Sequence, residues 1–257
     1  MKKTLIALAV AASAVVSGSA MAWTANGTGG SVDLGGTLTP VEKITPWEVK
    51  VGAAVSGLDA QIQKGQKEVR IAVNKAIPVL GIRTQTTQAF QGQPGIAPQI
   101  DYQGAINVDE FKGNVATLTI DVQSSVNSEK IGSLSAPLLA VGEYSVKGPR
   151  AHHRYNLIAS GNGTAFWGGL PKDASSSGTD WDSSDIDPEF NVNYDKQGVD
   201  WAGYGENTFA DTEHTYSGYY GSGIKSGQTI KITLDQAASG DESIQWKASL
   251  PVTVTYA

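Results

Sequence analysis

The chain of 257 residues contains no cysteine and only three histidines, and its 25 Asp and Glu residues outnumber its 19 Lys and Arg residues. The absence of cysteine excludes a disulfide scaffold and a thiol enzyme. A formal net charge of −6 argues against nucleic acid as a partner, because phosphate binding needs a clustered basic surface. Apolar residues still make up 40% of the chain, which is ample for a buried core and excludes disorder throughout.

The longest apolar run lies at the N-terminus and has the three zones of a secretory signal. Two lysines precede an apolar stretch over 4–16, and residues 20–22 form the small-x-small cleavage site Ala-Met-Ala. The stretch is too short to span a hydrocarbon core of about 30 Å. We therefore predict a signal peptide at 1–22 and an exported mature chain that starts at Trp23.

Alternation of apolar and polar residues with a period of two dominates the mature chain and predicts β-strands. It is clearest over 115–122 and 230–234, and shorter strands are expected at 47–51, 69–73, 79–82, 131–140 and 155–158. The longest alternation covers 244–256 at the C-terminus, where every second residue is apolar. That length predicts a last strand deep in the core. One short helix is expected over 53–63, from the helical spacing of its aliphatic residues.

Many short strands separated by Gly, Asn, Ser and Pro, without long helices between them, predict a two-sheet antiparallel sandwich. Removing 22 of 257 residues leaves 235, which exceeds the roughly 100 of a minimal immunoglobulin-like sandwich. We assign the surplus to an insertion at about 148–220. Within it, residues 173–213 carry eleven acidic side chains, one base and six aromatic residues, a composition that favours a folded surface lobe over a bare acidic linker.

The first mature residues, 23–40, contain a strand-like alternation with no evident partner in the sequence. Val32, Leu34, Gly36 and Leu38 share one parity. Two interpretations remain open from the residues alone. The segment is either the first strand of the chain's own sandwich or a donor strand supplied to a neighbouring subunit.

Several blocks, in order along the chain, carry a family resemblance: GGSVDLGGTLTP from Gly29, IPVLGIRT from Ile77, FWGGLP from Phe166 and QWKASLPVTVTY from Gln245. In these blocks the chain resembles the major subunits of chaperone-usher fimbriae, and specifically the FaeG-type polymeric adhesins of enteric bacteria. The resemblance covers nearly the whole chain and thins out between about 171 and 216.

The resemblance implies an all-β fold, an incomplete immunoglobulin-like sandwich at 41–257 that lacks its last strand and carries an inserted lobe of loops and short helices. A periplasmic chaperone fills the gap first, and the N-terminal extension of the next subunit then replaces it. By this analogy, acceptor pockets receive Val32, Leu34 and Leu38, and Gly36 fits where only glycine is tolerated. The receiving groove, which also binds the chaperone, is formed by Leu250, Val252, Val254 and Tyr256.

No motif for an enzyme or a cofactor emerges from the residues. Neither GxSxG nor GxxxxGK[ST] occurs, and the HExxH spacing is absent. The histidines are expected to be ordinary solvated residues, and no metal or cofactor is expected. Five acids over 180–189 do not follow the order of an EF-hand. A calcium loop of another kind and a glycosidase carboxylate pair remain alternatives to a solvated acidic lobe.

The candidates for glycan binding are Phe166, Trp167 and Lys172. Sugar sites offer an aromatic face to the apolar side of a pyranose and polar groups to its hydroxyls. Neighbours on a strand point to opposite faces, so at most one of the two aromatics is expected to be exposed, and both being core residues is the alternative. The family resemblance places the segment matching 165–172 in the receptor-recognition region.

These observations together predict a major fimbrial subunit that reaches the cell surface through the periplasm. It would polymerise with identical subunits by donor-strand exchange, with the help of a periplasmic chaperone and an outer-membrane usher, and would bind a host carbohydrate receptor as a lectin and virulence factor. A purely structural shaft subunit and a secreted glycan hydrolase are the alternatives.

Overall fold

The computed structural model describes residues 25–26, 28, 32, 34–39, 44–178 and 182–257. The chain divides into two compact units, Met1–Lys43 and Ile44–Ala257. In the first unit the described residues contain no strand or helix. The predicted signal peptide at 1–22 lies outside the described residues and stays a prediction.

The second unit is an all-β sandwich. Its described residues form thirteen strands: β1 (Trp47–Val51), β2 (Glu68–Ala72), β3 (Ile77–Thr84), β4 (Phe90–Gln91), β5 (Pro98–Asp101), β6 (Val115–Ser124), β7 (Lys130–Lys147), β8 (His152–Leu157), β9 (Asp200–Gly205), β10 (Thr215–Ile224), β11 (Thr229–Leu234), β12 (Trp246–Ala248) and β13 (Thr253–Tyr256). Four 3₁₀ turns accompany them at Val108–Glu110, Ala174–Ser176, Ser183–Asp185 and Pro188–Phe190.

The eighteen-residue strand β7 organises the larger sheet. Its first part pairs antiparallel with β6 and β11, and its second part pairs antiparallel with β8 and β10. The strand order β2-β11-β7-β6-β12 therefore builds one side of the sandwich, and β1-β3-β10-β7-β8-β9 builds the other. Strand β9 lies parallel to β8, whereas the other pairs are antiparallel. A separate sheet consists of β5 and β13.

One hydrophobic cluster fills the space between these layers. It contains Leu118 and Ile232 from the β6–β11 side, Leu80 and Tyr220 from the β3–β10 side, and Ile100 from the small sheet. Because residues from all three parts belong to the same buried cluster, the two sides and the small sheet share one core. Burial of that much apolar surface is the main stabilising contribution in a chain without disulfides.

Most of the strands expected from alternation are confirmed. Those at 47–51, 69–73, 79–82, 115–122 and 230–234 agree with β1, β2, β3, β6 and β11 to within a few residues. The predicted helix over 53–63 is wrong, since the segment has no regular secondary structure and instead packs Leu58 and Ile62 against the core. Helical spacing and an extended segment that buries two of its aliphatic side chains give the same short pattern, and the pattern alone does not separate them.

The C-terminal alternation forms two short strands instead of one long strand. Trp246–Ala248 pairs with β6, and Thr253–Tyr256 pairs with β5. Pro251 lies between them and has no N–H to donate to a ladder. The even-numbered residues face the core as expected, but they are half-buried, and Ile244 is 42% exposed. The prediction that this strand lies deep in the core is therefore wrong, because its inner face packs against the core without being fully covered.

The predicted insertion at about 148–220 includes two strands of the larger sheet, β8 and the first part of β10, together with their connection. In that connection the described residues form three of the 3₁₀ turns and the edge strand β9. Ile186 and Phe190 attach it to the sheet by packing on Leu139 and Val141 of β7. Throughout the described part of the chain, no helix has the length and apolar character needed to cross a membrane.

Candidate assembly and receptor sites

The predicted donor segment exposes its aliphatic side chains. The exposed fractions of Val32, Leu34 and Leu38 are 74%, 93% and 97%. A Cβ added at Gly36 would have no neighbouring atom of the described residues within 4 Å. Contiguous apolar side chains are rarely left in water by monomeric soluble proteins. Alternate side chains of this segment are thus accessible to a partner.

The C-terminal strand presents the opposite picture, since its apolar residues are partly covered. Leu250, Val252, Val254 and Tyr256 are half-buried and pack against the main core, while Thr253, in the alternate phase, is exposed. Antiparallel pairing with β5 sets this register, with Val254 opposite Ile100. Reciprocal backbone bonds between Ala97 and Ala257, of 3.2 and 3.0 Å, close the end of the pair. The result is an apolar strip that contacts the core along one side and retains accessible surface on the other.

Phe166 belongs to the core and is therefore ruled out as a direct glycan contact. Its side chain is fully buried, and its ring stacks on Tyr220 with centroids 5.6 Å apart and an interplanar angle of 14°. Trp47 packs against it edge-on at 5.6 Å. The backbone of Phe166 has φ of +61°, a conformation uncommon outside glycine and Asn. It reverses the chain so that the ring points inward and the next residue points outward.

Trp167 is half-buried at the surface, next to Lys172. The Lys172 ammonium lies over the indole, 5.4 Å from the ring centroid, and forms an ion pair with Asp109. A cation above an exposed indole contributes about 0.5–1 kcal/mol. The two predicted residues Trp167 and Lys172 are thus brought together, and Asp109 from another part of the chain joins them.

A cavity of about 530 Å³ opens beside Trp167. Its apolar lining includes Ile106 and Val108. Its polar lining includes Asp101 at the end of β5, Gln103 in the turn that follows, and Thr253 and Thr255 on the outward face of β13. Pockets that bind small molecules have about 300–1,000 Å³ and combine apolar walls with a few polar groups. The size and the lining both suit a small polar ligand with one apolar face.

Strand β5 holds the loop that carries Trp167. The Ile100 N–H donates to the Trp167 carbonyl at 2.8 Å, and the Phe166 N–H donates to the Pro98 carbonyl at 2.5 Å. The Gln99 side chain donates to the Thr164 carbonyl at 2.8 Å. Strand β5 therefore lies between β13 on one edge and the Trp167 loop on the other.

Gly168 makes that close approach possible. It has φ of +85°, and a Cβ at this position would lie 1.9 Å from the Ile100 carbonyl oxygen. Such a distance is far inside any permitted contact, and positive φ is readily adopted by glycine but by few other residues. Gly168, the first glycine of the block FWGGLP, is thus required where the loop crosses β5.

A buried chain of hydroxyl groups supports the same loop from beneath. The Tyr102 and Tyr220 hydroxyls are 2.8 Å apart, and the Tyr102 hydroxyl lies 2.6 Å from that of Ser222. The Tyr220 hydroxyl donates to the Gly169 carbonyl at 3.2 Å. Burial raises the pKa of Tyr102 to about 12, so all these groups stay neutral at physiological pH.

Three acidic side chains of the lobe form ion pairs with lysines that lie on the sheet or directly after one of its strands. Lys50 on β1 contacts Asp187 and Glu189 at 2.7 Å each, and Lys225 contacts Asp185 at 2.7 Å. Burial alone would raise the pKa of Asp187, but hydrogen bonds from the Lys50 ammonium and the Glu189 amide leave it lowered. Among the residues from 44 to 178 and from 182 onward, no group of three or more His, Asp or Glu side chains is arranged to hold a metal ion.

His214 differs from the prediction that all three histidines are solvated. It is 3% exposed, its Nδ1 lies 3.0 Å from the Asp211 carboxylate, and its Nε2 accepts a hydrogen bond from the Arg150 amide at 3.4 Å. The hydrogen bond from the Glu213 backbone amide lowers the pKa of Asp211 to about 2, with smaller contributions from the Arg150 and His214 side chains. His152, by contrast, is exposed on β8. His214 thus connects the segment just before β10 to Arg150, in the loop between β7 and β8.

A second exposed aromatic side chain lies on the edge strand β9. Trp201 is 48% exposed, and its indole N–H donates to Asn156 at 3.3 Å. It packs edge-on against Tyr204 at 6.4 Å. Trp201 does not line the cavity and therefore provides a matched comparison for Trp167.

Sequence reasoning missed the cavity residues on β5 and β13. Asp101 is followed by about 150 residues before Thr253, and the register that places them opposite each other has no local sequence signal. The short block DYQGA around Asp101 contains a glycine and so predicts a turn, but it does not predict a binding site. Long-range pairing is what brings these polar groups to Trp167.

The comparisons with known proteins all find fimbrial proteins. The family described as "Fimbrial, major and minor subunit" matches residues 1–257. K88 fimbrial protein AC from Escherichia coli is 34% identical, and K88 fimbrial protein AB from the same organism is 33% identical. F41 fimbrial protein, also from Escherichia coli, is 27% identical. Each of these alignments covers 100% of this chain and 100% of the relative.

Proposed function

Because the chain belongs to the family of major and minor fimbrial subunits, we propose that it is a major subunit that polymerises by donor-strand exchange and adheres to host-cell glycans. Membership makes it an exported component of a cell-surface fimbrium and not an enzyme. The glycan-hydrolase alternative is therefore dropped. Donor-strand exchange, glycan binding, and the chaperone and usher partners are the parts that we propose.

The proposed assembly mechanism rests on the exposure of Val32, Leu34 and Leu38, which occupy alternate positions of the N-terminal segment. These side chains match in chemistry the partly covered apolar strip of Val252 and Val254. The donor of one subunit would add alongside the C-terminal strand of the next and cover that strip. Burying three aliphatic side chains at roughly 1.5–3 kcal/mol each gives on the order of 5–9 kcal/mol, as an upper estimate.

That gain is comparable to the whole stability of an ordinary domain, about 5–15 kcal/mol. Polymerisation would therefore complete folding as well as join subunits. An apolar strip left uncovered invites aggregation, which supports a role for a periplasmic chaperone before assembly and an outer-membrane usher during it.

The assembly mechanism is tested by moving residues 23–40 behind Ala257, so that the donor serves its own subunit. We expect a monomer whose free energy of unfolding is several kcal/mol larger than that of the parent unassembled chain. Size-exclusion chromatography and urea unfolding measure both properties. A rearranged chain that stays oligomeric and is no more stable than the parent would contradict strand donation.

The receptor part of the proposal rests on Trp167, the half-buried aromatic that lines the cavity. An indole offers a flat apolar face to a pyranose, and polar groups around it serve the hydroxyls. Repetition of the subunit along the fibre would multiply weak individual sites into strong attachment. The purely structural shaft subunit is the alternative function.

Glycan-array binding by the self-complemented monomer separates the adhesin from the shaft subunit. We expect binding that is lost on Trp167→Ala and retained on Trp201→Ala, which removes an exposed tryptophan outside the cavity. Circular dichroism checks that both variants fold. A folded monomer that binds no glycan would establish the shaft alternative.

A further inference from the structure

We propose that the cavity beside Trp167 binds a neutral saccharide, and that it binds the saccharide more tightly when a neighbour's donor strand lies along β13 and covers the apolar strip. The inference rests on the proposed function, because it requires both strand donation and glycan binding. It adds the ligand class, the polar residues that contact it and a dependence of receptor binding on assembly.

The two sites share one strand. Thr253 and Thr255 line the cavity on the outward face of β13, whereas Val252 and Val254 pack towards the core on the other face. Successive side chains on a strand point to opposite sides. Any change in the position or order of β13 therefore reaches the cavity and the acceptor strip together.

The second wall of the cavity is connected to β13 through β5. On one edge of β5, Asp101 and Gln99 are opposite Thr253 and Thr255. On the other edge, the Ile100 amide bonds to the Trp167 carbonyl, and Gln99 bonds to the loop at Thr164 and Gly163. The aromatic wall and the threonine wall thus lie on opposite edges of β5.

A small sheet of this kind gains order from a third strand. Two-stranded sheets are marginally stable alone, and three strands are needed for independent stability. In the described residues, β5 and β13 make up the whole sheet, supported by packing on the core. A donor strand along β13 would hold the threonine wall and, through β5, the Trp167 loop. A ligand that meets an ordered site loses less entropy on binding.

The lining favours a neutral saccharide over an anionic one. Asp101 contributes a carboxylate, which accepts hydrogen bonds from sugar hydroxyls and repels a carboxylate on the ligand. One of its oxygens accepts from the Gln103 amide at 2.7 Å, which fixes the orientation of the group. The Lys172 ammonium is paired with Asp109 and so does not create a strongly cationic site.

The experiment compares two self-complemented full-length mature chains. One carries residues 23–40 unchanged behind Ala257, and the other carries Leu34→Ala and Leu38→Ala in the moved copy, which weakens strand insertion. Both are titrated with galactose, glucose, mannose, N-acetylglucosamine and, as the anionic probe, N-acetylneuraminic acid. Hydrogen exchange at the Ile100 and Phe166 amides reports the order of the loop independently of ligand.

We expect at least one neutral sugar to bind roughly tenfold more tightly to the chain with the intact donor, within the range usual for coupling between sites. Exchange at the Ile100 and Phe166 amides should be slower in that chain. Equal affinities and equal exchange in the two chains would overturn the dependence on assembly, and preferred binding of the anionic probe would overturn the ligand class.

Variants within the intact-donor chain test the cavity itself. Asp101→Asn and Thr255→Val should each weaken binding several-fold, because the first removes the negative charge and one acceptor oxygen and the second removes a hydroxyl group. Asp121→Asn on β6 and Thr229→Val on β11 are exposed controls that should bind as the parent does. If the glycan array is positive but the cavity variants have no effect, this inference fails while glycan adhesion stands. A negative array removes the adhesion proposal and this inference with it.

Discussion

Two stretches of the chain carry the same alternation of apolar and polar residues but lie in different environments. The N-terminal stretch around Leu34 exposes nearly all of its aliphatic surface, whereas the C-terminal stretch around Val254 keeps its aliphatic face against the core. The difference shows that alternation indicates which side chains share a face, but it indicates neither whether the segment is paired nor which strand pairs with it. If strand exchange is correct, the first stretch finds its environment only in another subunit.

The largest effect is expected when the exposed face of the N-terminal stretch is made charged. Leu34→Asp should abolish fibre formation, since burying an unpaired carboxylate is strongly unfavourable. The stability of the unassembled chain should change by less than about 0.5 kcal/mol, because Leu34 is 93% exposed. Fibre yield released from cells and urea unfolding of the monomer measure the two outcomes.

Thr37→Asp is the matched control, since it places the same charge on the opposite parity, where Thr37 is exposed. It should assemble normally or nearly so. Normal fibres from Leu34→Asp would remove the contrast between the two stretches.

A second large effect is expected where the Trp167 loop crosses β5, the strand that pairs with the C-terminal stretch. Gly168→Ala should destabilise the chain by about 1–3 kcal/mol from its positive φ alone, and by more because the added Cβ collides with the Ile100 carbonyl. Thermal unfolding measures the loss. Gly161→Ala serves as the control, because a Cβ there meets no atom within 4 Å and Gly161 does not have a positive φ. Equal melting temperatures for the two variants would contradict the role given to β5.

A moderate effect distinguishes the two stretches directly. In the monomeric Leu34→Asp background, Val254→Ala should cost about 1–2 kcal/mol of unfolding free energy, because half-buried methyl groups lose contacts with the core. Val32→Ala should cost less than about 0.5 kcal/mol in the same background, since it is 74% exposed. Urea unfolding tests both, and similar costs would show that the N-terminal stretch already packs within its own subunit.

The smallest effect concerns the hydroxyl groups beneath the Trp167 loop, which is bonded to β5, the strand that pairs with the C-terminal stretch. An unfolded tyrosine loses its proton near pH 10, whereas burial raises the pKa of Tyr102 to about 12. The folded state therefore binds more protons between these values, and unfolding free energy should fall as pH rises from about 10 to 12. Urea unfolding between pH 8 and 11 tests this expectation, and Tyr102→Phe should reduce the slope. An unchanged slope would assign the alkaline sensitivity to other buried tyrosines.

Much of the sandwich could be predicted from the sequence, because one-sided strands alternate. Strand β6 is the clearest case, with its even-numbered residues largely buried and its odd-numbered residues largely exposed. Strand β10 was not predicted, because it lies between β3 and β7 and is buried on both faces, so its sequence TYSGYYGSGI has no period of two. The second part of β7 was missed for the same reason.

The candidate receptor site was predictable only where it depends on one local block. FWGGLP singled out Trp167 and the glycines, and Phe166 was wrongly included because strand geometry does not anticipate a left-handed residue at that position. Asp101 and Thr255 enter the site through a pairing between distant segments, which no local pattern records. The family resemblance supplied the assembly hypothesis, for which the alternation of the N-terminal stretch alone left two choices.

The aromatic ring of Phe190 rests on a pair of glycines, Gly81 of β3 and Gly221 of β10, which face each other in the sheet. A Cβ at Gly81 would lie 2.3 Å from the ring and a Cβ at Gly221 would lie 2.6 Å from it. The ring therefore occupies space that is available only because both residues are glycines. The lobe is also held to the sheet by the packing of Ile186 on β7, by the pairing of β9 with β8 and by the burial of Phe209 in the main core; surface ion pairs contribute little each. A transplanted lobe would therefore require this pair of glycines together with the edge of β8, because these two contacts fix where the lobe lies on the sheet.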